Sequence, residues 1–383
     1  MGRRRNGLRR VVLTVLALLL TAGAFYALWE QPPEQTAAVA QSRVESKPES
    51  ADNRTISRKE ETSVLPEGEA LPGLRQNGVY TLLLAGCDDG NGNTDTLILA
   101  RLDTNRHRIN LVSLPRDTLI NVPWEVRKIN AVYGGARSQG KDGLAALKTQ
   151  VARLTGFVPD GCAVVDLTLF TEAVDLLGGI WFDVPMDMDY EDPSQNLSIH
   201  LQPGYQLLNG EQAMKLCRYR SGYVTGDLGR IEMQQRFLRA CAGQLLQKET
   251  FSQLPTLLEL LAERMETDLS AANVAWLLRQ ALACKAEDLH VATAPGHPAW
   301  IAGYSYEVLN LEDWLGLLNE ALNPFDTPIT RESLDLVYGS EGNWASTAEL
   351  LDAAYYHRNE AAPVAAEPED AGSGGPVIVV VAP

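Results

Sequence analysis

Residues 79–102 read Val79-Tyr80-Thr81-Leu82-Leu83-Leu84-Ala85-Gly86-Cys87-Asp88-Asp89-Gly90-Asn91-Gly92-Asn93-Thr94-Asp95-Thr96-Leu97-Ile98-Leu99-Ala100-Arg101-Leu102. Two apolar runs, Val79 to Ala85 and Thr96 to Leu102, have the length of buried strands and are too short for core helices. A third run, Arg108 to Leu114, follows the turn residues Asp103-Thr104-Asn105. Between the first two lies a loop of Gly, Asn and Asp. Asp88 and Asp95 therefore stand at two strand ends on one edge of a sheet, the edge where open α/β folds bind ligands. Two carboxylates among small residues suit Mg²⁺, which keeps several waters and takes its other ligands from phosphates. A solvated turn has the same composition, so the loop needs support from elsewhere.

Outward from this stretch, strand and helix signals alternate. Gly143 to Leu154 is amphipathic and ends before Gly156. Cys162 to Asp166 reads as a strand, Leu169 to Leu177 as a helix closed by Gly178-Gly179, and Ile180 to Val184 as a strand. Asn209 can cap a helix to about Arg218, and Asp227 one to about Lys248. The pattern predicts an α/β fold, a mixed central β-sheet flanked by helices. Leu254 to Arg264, Ala271 to Cys284 (capped by Ser270) and Leu311 to Leu322 read as further helices. They predict a mainly helical C-terminal extension over residues 251–358.

Two arginine groupings carry chemistry. In Ser113-Leu114-Pro115-Arg116-Asp117-Thr118 an arginine follows a strand and a proline, placed at the same kind of edge; an exposed pair with Asp117 is the plain alternative. In Arg218-Tyr219-Arg220 and Gly226-Asp227-Leu228-Gly229-Arg230-Ile231-Glu232-Met233-Gln234, Arg230 and Gln234 are i and i+4 on one helix face near its N-terminus. Three arginines, an amide and a helix N-terminus make an anion site, against the alternative of ordinary surface arginines.

The formal net charge of the 383 residues is −16, although Arg3, Arg4, Arg5, Arg9 and Arg10 all fall in the first ten. So acidic a body repels phosphate backbones, which excludes generic nucleic-acid binding. After the basic residues 1–10, Val11 to Trp29 carries no charge; as a helix it is about 28 Å long, near the thickness of bilayer hydrocarbon. The arginines keep its start in the cytoplasm, so residues 11–29 read as a transmembrane signal anchor with the body outside. Ala22-Gly23-Ala24 offers the alternative of a cleaved signal peptide, and both export the body. Residues 30–76 read as a flexible linker lifting the body off the membrane, 77–250 as the main α/β domain and 359–383 as a disordered tail. The five cysteines form no C-x-x-C pair and read as small buried hydrophobes, with one bridge open to them outside the cell.

The order of these motifs is similar to that of the LytR-CpsA-Psr family of cell-envelope glycopolymer transferases. The match includes the Asp pair, Ser-Leu-Pro-Arg-Asp, Lys128-Ile129-Asn130-Ala131-Val132-Tyr133, Asp175-Leu176-Leu177-Gly178-Gly179-Ile180, Asp187-Met188-Asp189-Tyr190-Glu191-Asp192-Pro193, Leu208-Asn209-Gly210-Glu211-Gln212-Ala213 and Gly-Asp-Leu-Gly-Arg-Ile-Glu. The resemblance implies a membrane-anchored phosphotransferase of a Gram-positive-type envelope, with an LCP-like sandwich fold. It would move a glycopolymer from a polyprenyl-pyrophosphate carrier in the membrane lipid onto peptidoglycan, usually at the muramic acid 6-hydroxyl. By the family pattern Asp88 and Asp95 hold Mg²⁺ (or Mn²⁺), with Arg116 and Arg220 beside them in the catalytic set. Arg116, Arg218, Arg220 and Gln234 bind pyrophosphate oxygens, and Arg230 and Asp227 shape the pocket. Two positions depart from the pattern. Asn93 stands where the family usually has arginine, and Ser221-Gly222 follow Arg-x-Arg where His or Asp is common, which leaves the general base open. A polyprenyl-pyrophosphate hydrolase and a non-catalytic polyprenyl-phosphate binding protein use the same residues and remain alternatives.

Overall fold

The computed structural model describes residues 31–36, 73–87, 92–193, 197–223, 227–245, 253–340 and 343–358. Along the chain run β1 (Val79–Cys87), β2 (Thr94–Asp103), β3 (Arg108–Ser113), α1 (Ala131–Ser138), α2 (Gly143–Thr155), β4 (Gly161–Asp166) and α3 (Leu167–Leu176). They are followed by β5 (Ile180–Val184), β6 (Met188–Asp192), β7 (Leu197–Leu201), β8 (Gly204–Leu208), α4 (Gly210–Arg218) and α5 (Asp227–Leu245). The remainder holds α6 (Leu254–Arg264), β9 (Glu266–Thr267), α7 (Ala271–Leu282), β10 (Leu289–Thr293), β11 (Gly296–Ile301), β12 (Tyr304–Leu309), α8 (Leu311–Leu317), β13 (Val337–Ser340) and β14 (Asn343–Ser346).

Six strands form one mixed sheet in the order β10-β3-β2-β1-β4-β9. β1, β2 and β3 pair antiparallel through short connections, whereas β4 joins β1 parallel and β10 joins β3 parallel. On one face Leu83, Leu97, Leu99 and Val112 pack against Leu147 and Val151 of α2 and against Trp314 of α8. A second layer, built on the pairs β5·β8 and β6·β7 with α4 and α5, closes around Phe182, Met188, Ile199, Leu216 and Phe237. Helix ends follow the capping expectations: Asn209 makes a capping box with Gln212, Ser270 one with Asn273, and Gly156 closes α2 at φ +76°.

The expectation of a mainly helical extension over residues 251–358 is corrected. This region supplies both edge strands of the sheet, β9 and β10, and the pairs β11·β12 and β13·β14. β9 has only two residues and shows no period, and Pro298 interrupts the signal of β11. The helical segment from Leu311 does continue to Leu322, its last turn in π-helical form.

The flexible linker is corrected at both its ends. Gln35 Nε2 donates to the Gln76 carbonyl (3.0 Å) and the Val79 carbonyl (2.8 Å). Asn273 Nδ2 donates to the Gln31 carbonyl (3.0 Å). Asp160, buried, accepts from Thr36 N (2.7 Å), Thr81 N (2.7 Å) and Thr81 Oγ1 (3.0 Å), and pairs with Arg75. Polar side chains satisfying backbone groups hold these residues, so composition alone concealed the contact. Residues 1–30, 37–72 and 359–383, and with them the proposed anchor and tail, lie outside the described residues; within the described residues no helix is long and apolar enough to cross a membrane.

Burial lowers the pKa of Arg75, and proximity to Asp160 offsets part of that shift. Asp160→Ala removes the acceptor of Thr36, Thr81 and Arg75 together and strands a buried cation. It should cost about 3–5 kcal/mol in denaturant unfolding, the penalty for breaking a buried ion pair, while Asp160→Asn should cost less.

Candidate active site

Strand alternation sends Leu83 and Ala85 into the first core and Leu84 to the opposite face. Leu84 is 38% exposed although β1 is a central strand, because the second layer stands off the sheet there. The gap is a cavity of about 820 Å³. Its floor is Leu84 with its cross-strand partner Ile98, and its apolar walls are Phe170 of α3, Met214 of α4, and Phe237 and Leu238 of α5.

The same cavity is lined by Asp95, Arg116, Arg218, Arg220, Arg230 and Gln234. Six side chains singled out on the sequence thus converge, although they come from β2, the loop after β3, α4 and its exit, and α5. Asp88 follows the last residue of β1 and lies outside the described residues; Asp227 opens α5, and its side chain does too.

Arg116 Nη1 donates to Asp95 Oδ1 at 2.6 Å, and its Nε lies 3.9 Å from Asp117. The primary partner is therefore Asp95, against the plain alternative of a pair with Asp117, whose Oδ1 meets Lys128 at 3.1 Å. The backbone of Arg116 is fixed on both sides: Thr118 N and Oγ1 donate to the Pro115 carbonyl (3.0 and 2.6 Å), and Asn130 N donates to the Arg116 carbonyl (3.1 Å). Arg230, only 2% exposed, donates to the Asp95 carbonyl at 3.2 Å. Gln234 donates to the Cys217 carbonyl (3.1 Å) and accepts from Thr96 Oγ1 (3.3 Å), so it braces α5 against α4 and β2. Tyr219, buried in the second layer, alternates with Arg218 and Arg220, which both reach the cavity.

The two departures from the family pattern also find places. Asn93 and Ser221 line the cavity. A Cβ on Gly222 would stand 2.7 Å from the Tyr219 hydroxyl and 3.0 Å from Met186 Sδ, so a larger residue there must displace the ends of these side chains. Sequence reasoning missed Asp166 and Cys217 in the wall. Asp166 Oδ1 accepts from Leu169 N at 2.6 Å as the cap of α3, a role its position before an apolar helix signals. Burial pushes the Cys217 thiol above its ordinary range, which keeps it protonated and unsuited to nucleophilic attack. All five cysteines are free thiols.

Among the described residues no group of three His, Cys, Asp or Glu side chains stands ready to hold a metal. Asp95 offers a carboxylate amid guanidinium groups. That donor set fits an ion held by one or two carboxylates and completed by the phosphates the arginines attract.

The LytR_cpsA_psr family model matches residues 36–320. TagV of Bacillus subtilis, named a polyisoprenyl-teichoic acid–peptidoglycan teichoic acid transferase, is 28% identical over 200 residues, which is 50% of this chain and 50% of TagV. TagU of Oceanobacillus iheyensis, which bears the same activity in its name, is 24% identical over 306 residues, 79% of this chain and 88% of its own. This chain therefore spans about half the length of the former relative and most of the latter. The crystal structure of B. subtilis TagV has the same fold, with a TM-score of 0.55 at 22% identity over 66% of this chain and 100% of that one. By the extent of the family match and the shared fold, this chain belongs to the LytR_cpsA_psr family.

Proposed function

We propose that the protein is a membrane-anchored, extracytoplasmic phosphotransferase that moves a glycopolymer from a polyprenyl-pyrophosphate carrier onto peptidoglycan. One observation carries this reading: a single cavity joins an apolar trough over Leu84, Ile98, Phe170 and Phe237 to a cluster of Arg116, Arg218, Arg220 and Arg230. A ligand matching both ends has a long hydrocarbon tail and a polyanionic head. The names of the two relatives, which state transfer of teichoic acid to peptidoglycan, support the donor and acceptor classes.

Phosphoryl transfer needs positioning and charge neutralisation more than a covalent nucleophile. The arginines supply forked donors to pyrophosphate oxygens. Arg230 fixes the backbone of Asp95, and Arg116 fixes its carboxylate, so the acid is placed before substrate arrives. A Mg²⁺ (or Mn²⁺) ion held by Asp95 and Asp88 would add Lewis-acid stabilisation of the pyrophosphate. The acceptor hydroxyl oxygen bonds to the glycan-proximal phosphorus, the P–O–P bond breaks, polyprenyl phosphate leaves, and the hydroxyl proton is released. The glycan remains joined through a phosphodiester.

Incubation with a lipid-linked glycan donor, divalent cation and peptidoglycan fragments should yield the phosphodiester-linked product. Asp95→Ala should lower that rate by on the order of 10² or more, with little loss of stability. A glycan released only as its free phosphate would mark a hydrolase, and no turnover a carrier. Leu84→Glu tests the tail end: with its side chain already facing the cavity the fold should hold. Polyprenyl-pyrophosphate affinity should fall by about one to two decades, the worth of one buried leucine contact. Affinity for inorganic pyrophosphate should stay within about twofold.

A further inference from the structure

Gln31–Thr36 begins two residues beyond the uncharged run that ends at Trp29, and it is already fixed to the body. Gln31 sits on the first turn of α7 through Asn273 and Ala272, and Gln35 sits on the start of β1. Two residues span at most about 7 Å. Thr36 and Arg75 both meet one carboxylate, Asp160, so the contact with the body that lies nearest the uncharged run is that of Gln31–Thr36.

The strand directions then set which edge faces the bilayer. β1, β3, β4 and β10 all start at the edge where Gln35 docks, and β2 ends there. α7 lies across these strand ends, with Leu277 packed in the cluster of Tyr80 and Leu102, and Trp276 edge-on to Tyr80 at 4.9 Å. The turn on this edge exposes Arg106, His107 and Arg108 in a chain whose net charge is −16. Its one carboxylate, Asp103, is buried against Arg106 at 2.9 Å. Basic groups here suit the phosphates of lipid headgroups. Asp95, near the start of the ten-residue β2, and Asn93, just before it, stand at the opposite edge, about 30 Å away along the strand.

We infer that Gln31–Thr36 seats the body directly on the outer leaflet, with α7 and the Arg106-His107-Arg108 turn against the headgroups and the pyrophosphate end of the cavity raised toward the wall. The inference rests on the anchor reading of residues 11–29. The donor's head must then leave the bilayer surface to react, while its tail spans the height between.

The test uses the full chain in vesicles of anionic and zwitterionic phospholipid carrying a headgroup acceptor dye. A clickable amino acid bears the donor dye at Asn105 or at Asn93, the two ends of β2, leaving native thiols untouched. Strong transfer is expected from Asn105 and weak transfer from Asn93, a height difference of up to about 30 Å. Ten Gly/Ser residues inserted between Glu30 and Gln31 should weaken transfer from Asn105, since such a linker reaches about 17 Å. Equal heights in the unmodified chain, or an insertion without effect, overturn the inference while the anchor stands. A chain that fails to float with the vesicles removes the anchor and the inference together.

Discussion

The β1–β2 pair must satisfy two environments at once, and the site follows from how it does so. Leu83 and Ala85 of β1 enter the core against α2 and α8, whereas Leu84 and its partner Ile98 face the cavity under the second layer, which leaves Leu84 uncovered. Uncovered leucine on a central strand costs roughly 1.5–3 kcal/mol relative to burial, a cost a hydrocarbon ligand would offset. The layer is held open by its own core around Phe182, Met188 and Phe237 and by the brace of Gln234 between helices. Cavity and fold are therefore the same arrangement.

Electrostatics then separates the two ends. The arginines are gathered in a strongly acidic chain, and Asp95 is held among them by Arg116 through its side chain and by Arg230 through its backbone. Arg230 is nearly excluded from water, so replacing it would leave the Asp95 carbonyl short of a donor as well as removing charge. Its position is structural first, and any gain for an anionic ligand is added to that.

The central part of this design was legible in the chain. Strand length, the Gly/Asp loop and the spacing of Arg230 and Gln234 are local signals, and they put both carboxylate and arginines at one sheet edge. Ile180–Val184 and Leu254–Arg264 were readable to the residue for the same reason. Less legible was what depends on distant partners. β9 exists only because Ala163 and Val164 offer it an edge, and β10 because β3 does. The docking of Gln31–Thr36 depends on amide groups meeting backbone carbonyls 41 and 44 residues away, with no apolar period to announce it. The bonds of the Gln234 amide to Thr96 and to the Cys217 carbonyl are likewise set by the packing of α5 and carry no local signal.

The central claim is that one cavity receives both the tail and the pyrophosphate of a single lipid. A crystal structure of the body with a short-chain polyprenyl pyrophosphate tests it most directly. The expected result is a tail lying over Leu84 and Ile98 toward Phe237, with phosphate oxygens between Arg116, Arg218 and Arg220. A head bound away from these arginines, or a tail left outside the cavity, would contradict it.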